Sequence, residues 1–244
     1  MEFNKEITEY LTGEKFSSSK KIYFSPEKFD GLSRNQKLAE IIRGKRVIHF
    51  GCADHLPLIE EKIRKGKWLH KTLTDNASKC IGFDINKEAI DFIKNKLGYD
   101  NVHYLNILTD DYDFGNEKWD FIILGEIIEH TDNPVNFLQT ILEKLSGKVN
   151  KIIITAPNVL NLFNIRYIRR NIEFINTDHR FWFTPFTLTK ITMQAGFKNC
   201  QVTYAEVITF GFGGEVIKFL KNKLKIKQRY RANCFFSVFV IADF

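Results

Sequence analysis

Two carboxylates and an imidazole stand close together in Glu126-Ile-Ile-Glu129-His130. On a helix, positions i, i+3 and i+4 share a face. The three side chains would then converge as a hard-metal site for Mg2+ or a similar divalent ion, or as an acid/base cluster. The alternative reading gives Glu126 to a ligand and Glu129 to a cap or ion pair, and leaves His130 alone facing an acceptor. Three further spots have chemistry to offer. Gly51-Cys52-Ala53-Asp54 follows an apolar run, and Gly51 permits a tight turn and close approach of the backbone to a ligand. Asp84 ends a second run, where an acid either accepts hydrogen bonds from both ribose hydroxyls of a nucleotide or caps the next helix. Asn106-Ile107 ends a third and offers an amide and an apolar contact to an adenine ring.

The elements that must hold these residues are legible as short apolar runs at regular intervals: Val47–Phe50, Cys80–Phe83, Val102–Leu105, Phe121–Leu124 and Ile152–Thr155. Continuous apolar runs of this length fit strands buried on both faces of a parallel sheet. Helical patterns lie between them. Ile90, Ile93 and Leu97 fall on one face after the capping residue Asn86, and Leu138, Ile141, Leu142 and Leu145 line one face after Asn133-Pro134. Alternating strands and helices with right-handed crossovers give an α/β fold with a Rossmann-like, doubly wound sheet in three α/β/α layers. In such a sheet ligands bind beyond the carboxyl ends of the strands, where all three turns lie. Gln36–Arg43 and Leu188–Ala195 read as further helices, and Val202–Phe210 and Cys234–Ala242 as a final strand pair.

Taken in order, VIHFGCAD, CIGFDIN, NVHYLNIL, WDFIILGEIIEH and KIIITAPN resemble the class I S-adenosylmethionine-dependent methyltransferases. The resemblance runs from about Arg46 to Asn158 and resumes at Asp178-His179 and Ala195-Gly196-Phe197. It is strongest to the subgroup of ubiquinone-pathway O-methyltransferases and sugar and surface-polysaccharide methyltransferases. It implies seven strands, mostly parallel, with an antiparallel C-terminal strand. It also implies four regions: an N-terminal helical and loop extension (1–45), a cofactor-binding core (46–157), an acceptor-site insertion or lid (158–190) and C-terminal strands completing the sheet (191–244). By resemblance Gly51, Cys52 and Ala53 surround the methionine end of S-adenosylmethionine, Asp84 holds the ribose, Ile85 flanks the adenine, Asn106 and Ile107 contact the base, and Gly125 and Glu126 close the methionine side. Related families bind a divalent ion through Glu-x-x-Glu-His and a later His, which here makes Glu126, Glu129, His130 and His179 the candidate ligands, with His130 and His179 the catalytic candidates. The sequence departs from the family at His49, where an acid usually stands, and at Ala53 and His55, where glycines are common.

The resemblance implies transfer of a methyl group to an oxygen of a small or carbohydrate-linked acceptor, in surface-polysaccharide or small-molecule biosynthesis. A histidine or a metal ion would take up or acidify the acceptor proton. For an already anionic acceptor neither is needed, and Arg166, Arg170 and Arg180, with Arg169, would position it. The aromatic residues of 158–190, among them Phe163, Tyr167, Phe174, Phe181, Trp182 and Phe183, read equally as an acceptor lid and as packing onto the sheet.

Charge bears on partners. The chain has 36 Lys+Arg and 29 Asp+Glu, a net charge of +7, yet residues 218–231 (KFLKNKLKIKQRYR) hold seven bases and no acid. The remainder is neutral, with 36 − 7 = 29 bases against 29 acids. That argues against nucleic acid, which favours a broad basic footprint. It leaves segment 216–231 as a solvated face, a contact with an anionic membrane, or a contact with a polyanionic acceptor. An RNA 2′-O-methyltransferase and a catalytically degenerate binding protein stand as alternatives. The start lacks a signal-peptide pattern, no apolar run nears the roughly 18 residues of a membrane span, and Cys52, Cys80, Cys200 and Cys234 form no C-x-x-C pair. Free thiols in the cytoplasm are the expectation.

Overall fold

The computed structural model describes residues 1–25, 27, 28, 30–208 and 229–244. The basic segment expected at 216–231 therefore lies almost wholly outside the described residues. In chain order the elements are α1 (Lys5–Thr12), β1 (Glu27–Lys28), α2 (Arg34–Ile41), β2 (Arg46–Phe50), α3 (Leu56–Arg64), α4 (Leu69–Asn76), β3 (Lys79–Asp84), α5 (Lys87–Leu97), β4 (Val102–Tyr104) and β5 (Trp119–Gly125). There follow α6 (Pro134–Leu145), β6 (Val149–Pro157), α7 (Leu162–Ile168), α8 (Pro185–Gln194), β7 (Lys198–Val207), β8 (Arg229–Tyr230) and β9 (Phe235–Asp243).

Seven strands form one sheet in the order β4-β3-β2-β5-β6-β9-β7, and β1 pairs with β8 in a separate two-stranded ribbon. The pairs from β4 through β6 are parallel, and β9 runs antiparallel to both of its neighbours. From β2 the chain winds outward through β3 to β4, then returns to lay β5 on the other side of β2. That reversal opens a crevice at the carboxyl ends of β2 and β5.

Each of the five apolar runs sits in one of the parallel strands. In the central strands β2, β5 and β6 their residues are largely buried on both faces because helices cover both, while Tyr104 on the edge strand β4 is exposed. On one face Ile48, Ile122 and Ile154 pack with Leu138, Ile141 and Leu145 of α6. On the other, Val47, Ile123 and Ile153 pack with Leu38 and Ile42 of the α2 region and Leu69 and Leu73 of α4. Fully burying one such side chain contributes about 1.5–3 kcal/mol. Helix α5 starts where expected, with Asn86 accepting from the Ala89 amide, and Asn133 caps α6 with Pro134 in its first turn.

The N-terminal extension is tied to the body. Val202 N donates to Met1 O at 2.8 Å, and Lys190 Nζ donates to Tyr10 O at 2.9 Å. Lys37 Nζ of α2 donates to Tyr204 O on β7 at 2.8 Å. Strand β7 starts earlier than its apolar pattern, at Lys198, past an irregularity in register between Lys198 and Gln201. Residues 209 and 210, expected at its end, lie outside the described residues. Among the described residues no helix is long and apolar enough to cross a membrane.

Candidate active site

The turn after β2 is folded back onto the end of β3. Gly51 N and Cys52 N both donate to Phe83 O, at 2.8 and 3.2 Å. Gly51 has φ +75°, and a Cβ there would lie 2.3 Å from Ile127 Cγ2, so the position needs glycine on both conformational and steric grounds. Asp84 organises the turn: one carboxylate oxygen accepts from Ala53 N at 3.0 Å and the other from Asn86 N at 2.9 Å. Burial raises the Asp84 pKa and those amides oppose the rise. Each oxygen keeps a second lone pair, which is the arrangement that binds a vicinal diol. Asp84 is not the cap of α5, since Asn86 holds that position and Asp84 only accepts from the Asn86 amide. Ile85 beside it is 70% exposed, an apolar side chain open to a planar base. The Asn106 side-chain oxygen accepts from Leu108 N and its backbone N–H donates to Asp110 Oδ2, while Ile107 is buried. Cys52 is buried, its carbonyl accepts from Trp68 Nε1, and burial pushes its thiol pKa well up.

Glu126 departs from the helical expectation. It has φ +59°, which reverses the chain directly after β5, and only Ile128–His130 form a short 3-10 turn. The shared helical face expected for Glu126, Glu129 and His130 is therefore absent. The Glu126 carboxylate is held elsewhere, by Arg34 Nη1 at 2.8 Å and by Ser237 Oγ, which donates at 3.2 Å. Glu129, His130 and His179 do come together, with ligand atoms all within 4.8 Å of one another. Glu129 is 1% exposed, and neither carboxylate oxygen has a hydrogen-bond partner. Desolvation, reinforced by Glu126, pushes its pKa up to about 8. His179 Nε2 lies 3.9 Å from Glu129 Oε1, and the His130 and His179 rings meet edge to face at 4.7 Å. His130 Nδ1 faces Asp178 O at 3.2 Å. A carbonyl can only accept, so Nδ1 carries the proton and Nε2 presents a lone pair. Burial lowers the pKa of both histidines and favours their neutral forms.

The insertion supplies the frame of this cluster. Arg180 N donates to Glu129 O at 2.8 Å, its Nη1 donates to His130 O, and its Nε pairs with Asp132 at 2.8 Å. Arg166, Arg169 and Arg170 instead line an open groove of about 410 Å3 with Leu162 and Ile165. The expected set of Arg166, Arg170 and Arg180 is thus divided between two places. Phe163, Tyr167 and Phe174 pack on one another at 4.8–5.3 Å, and Phe163 reaches Phe236 of β9 at 6.3 Å. His55 is exposed and stands 4.0 Å from Asp178, which links the turn after β2 to the insertion.

Two contributors carried no signal as site residues in the sequence. Arg34 reaches the end of β5 from α2, and His70 of α4 meets His49 with the two Nδ1 atoms 3.2 Å apart.

A sheet in this order, with a glycine turn after β2 and an acid closing β3, defines a class I S-adenosylmethionine-dependent methyltransferase. The chain belongs to the methyltransferase-domain family, whose model matches residues 26–202. Its structure is similar to that of a SAM-dependent methyltransferase from Archaeoglobus fulgidus, with TM-score 0.51 and 18% identity over 86% of this chain and 91% of that one. It is similar also to a SAM-dependent methyltransferase from Thermotoga maritima, with TM-score 0.56 and 14% identity over 88% and 89% of the two chains. A third similar structure is that of the small RNA methyltransferase HEN1, with TM-score 0.53 and 18% identity over 92% of this chain and 27% of that one. At these identities the likeness concerns the fold. No sequence among the curated proteins matches the chain.

Proposed function

We propose that this methyltransferase acts on an oxygen of a small or carbohydrate-linked acceptor, and that the acceptor meets the cofactor at Glu129, His130 and His179. The observation that carries the reading is the convergence of these three side chains, with both Glu129 oxygens buried and unpartnered. S-adenosylmethionine supplies an activated methyl group on its sulfonium. Asp84 binds the ribose hydroxyls, Ile85 covers the base, and the turn Gly51–Ala53 lets the backbone approach the rest. The protein's remaining task is to align the acceptor oxygen and remove its proton. His130 is built for the second part: Asp178 O holds its Nδ1–H, so the Nε2 lone pair takes the proton.

The same three residues would hold a divalent ion, which when bound would lower the pKa of an acceptor hydroxyl. The donor set fits, because a buried carboxylate without partners gains from a cation and a histidine ligand commonly donates its other N–H to a carbonyl, as His130 does. Glu126 enters this reading as a nearby charge tied to Arg34.

A second reading, an RNA 2′-hydroxyl as acceptor, draws on the likeness to the small RNA methyltransferase HEN1. Transfer of radiolabelled methyl from S-adenosylmethionine to sugar and glycan acceptors, compared with a short RNA bearing a free 2′-hydroxyl, separates the two. Label on the carbohydrate alone supports the first reading, and label on the RNA alone replaces it with the second. His130→Ala should lower kcat by about 100-fold with cofactor affinity unchanged, and full turnover would remove His130 from the chemistry. Glu129→Gln should abolish the rise in Tm on adding Mg2+ or Mn2+. The absence of that rise in the wild type would leave the cluster as an acid/base site.

A further inference from the structure

The insertion leaves apolar side chains in solvent next to arginines. Helix α7 carries Arg166, and Arg169 and Arg170 follow it directly. The helix closes in a Schellman arrangement. Ile172 N donates to Tyr167 O at 3.1 Å, Asn171 N donates to Ile168 O at 3.0 Å, and Asn171 takes a left-handed φ of +56°. The reversal brings the following residues back beside the helix, where Phe174 stacks on Tyr167 with ring centroids 5.2 Å apart. Ile168, Ile172, Phe174 and Ile175 thus belong to one helix end, yet each is 36–59% exposed. Every residue from Ile168 to Asp178 is exposed. Single exposed apolar residues are ordinary, but several within one turn and its loop mark a surface that meets something.

The polar part of this surface is basic. Residues 159–175 contain three arginines and one acid, Glu173, whose carboxylate accepts from Trp182 Nε1 at 3.1 Å. Among the described residues neither Arg169 nor Arg170 has an ion pair. With Arg166 they line the open groove of about 410 Å3, and its other lining residues are the apolar Leu162 and Ile165. Guanidinium groups beside apolar surface match the boundary of a bilayer, where phosphates overlie acyl chains. Arginine binds phosphate oxygens in pairs, and the isoleucines can enter the chains. Charge also argues against other occupants. A second copy related by a two-fold axis would set these arginines against themselves. The chain's own stretch 209–228 holds five lysines and a single acid, Glu215, so its charge is of the same sign as the face. Nucleic acid matches the charge but gives the isoleucines nothing to do, since bases stack on aromatic planes, and Phe174 already stacks on Tyr167.

We propose that the face formed by the end of α7 and residues 169–175 docks on an anionic phospholipid bilayer, with Arg169 and Arg170 on the phosphates and Ile168, Ile172 and Ile175 at the acyl boundary. Membrane contact then falls on the insertion and not on the basic segment 216–231. The same insertion frames Glu129 and His130 through Arg180, so the docked segment and the acceptor cluster share one piece of chain. The proposal does not depend on which acceptor is methylated.

Flotation with vesicles of equal parts phosphatidylglycerol and phosphatidylcholine, against phosphatidylcholine alone, reads the partition of the full chain. The wild type should bind the anionic vesicles and leave them as salt is raised. Arg169→Gln with Arg170→Gln should weaken that binding about 25-fold, at about fivefold for each base near the surface. Ile168→Ser with Ile172→Ser should weaken it at least about fivefold and leave retention on heparin, a polyanion without an apolar phase, unchanged. Absence of wild-type binding, or unchanged vesicle binding by the arginine variant, overturns the proposal. A loss by the arginine variant alone, with the isoleucine variant unaffected, would make the face a polyanion site and overturns it too. So does a wild type that sediments as a dimer where the isoleucine variant is a monomer, which would make the face a subunit interface. Amide hydrogen exchange on the wild type gives a second test that needs no variant. Anionic vesicles should slow exchange at residues 166–175, and protection confined to other parts of the chain overturns the proposal.

Discussion

Replacing Gly82 with alanine tests the packing on which the two buried histidines depend. The new methyl group would sit 2.5 Å from His70 Cε1, 2.8 Å from Cys52 Cβ and 2.9 Å from Cys52 Sγ. Carbon pairs rest at about 3.5–4.0 Å, so the His70 ring must retreat by about 1 Å. That displacement stretches the 3.2 Å contact between the two Nδ1 atoms past hydrogen-bond range. Overpacking of a buried site costs about 1–3 kcal/mol, and separating two buried polar groups from each other costs about 1–3 kcal/mol more. The expected loss is therefore about 2–6 kcal/mol, a large part of the roughly 5–15 kcal/mol that holds a domain together. Urea unfolding measures it as a lower midpoint at unchanged m. A loss below about 0.5 kcal/mol, the scale of an ordinary surface substitution, would show that His70 has room to move and is not pinned over the glycine.

Asp84→Ala removes the ribose contact, so S-adenosylhomocysteine and 5′-methylthioadenosine should both lose at least about 100-fold in affinity; calorimetry that finds either unchanged would misplace the ribose. The His70 pKa is lowered by burial from 6.5 to about 4. The unfolded chain then binds a proton that the folded chain refuses, so this contribution to stability is full above pH 6.5 and is lost as pH falls toward 4. In unfolding titrations the stability gap between the wild type and His70→Asn should accordingly change by about 3 kcal/mol in favour of the variant between pH 7 and pH 4; a gap independent of pH would mean that the imidazole is hydrated. Asn133→Ala deletes the cap that accepts from Asn136 N at 3.1 Å. It should cost about 1 kcal/mol with no effect on cofactor affinity, and an altered affinity would couple α6 to the site.

The strands and the turns after β2 and β3 were legible because each rests on local chemistry. Continuous apolar runs such as Phe121–Leu124 can serve only inside a covered sheet, and Gly51 and Asp84 mark turns by residue type. What the sequence concealed depends on backbone direction and long-range contact. Glu126-x-x-Glu129-His130 has the spacing of a helical face, but a left-handed Glu126 turns the first carboxylate toward Arg34 and leaves the other two side chains to meet His179. Nothing in the local pattern around Arg34 or His70 marks them as partners of Glu126 and His49. They arrive from helices separated from those partners by 92 and 21 positions respectively (126 − 34 and 70 − 49). The three insertion arginines were grouped by sequence proximity, and a short loop sufficed to send Arg180 to the histidine cluster and the others to α7.

On the proposed cofactor assignment, the ion pair between Arg34 and Glu126 makes the first residue of α2 part of the wall at the methionine end of the site. Helix α2 is eight residues long and is otherwise fixed by Lys37 on β7 and by Leu38 and Ala39 in the interior. A helix this short opens locally more easily than the central sheet. A ligand that binds only the closed form stabilises it by mass action. Occupancy of the cofactor site should then be visible far from the sulfur, as slower amide hydrogen exchange along Arg34–Ile41, and the rate at which cofactor product leaves would be bounded by how often that one helix lifts.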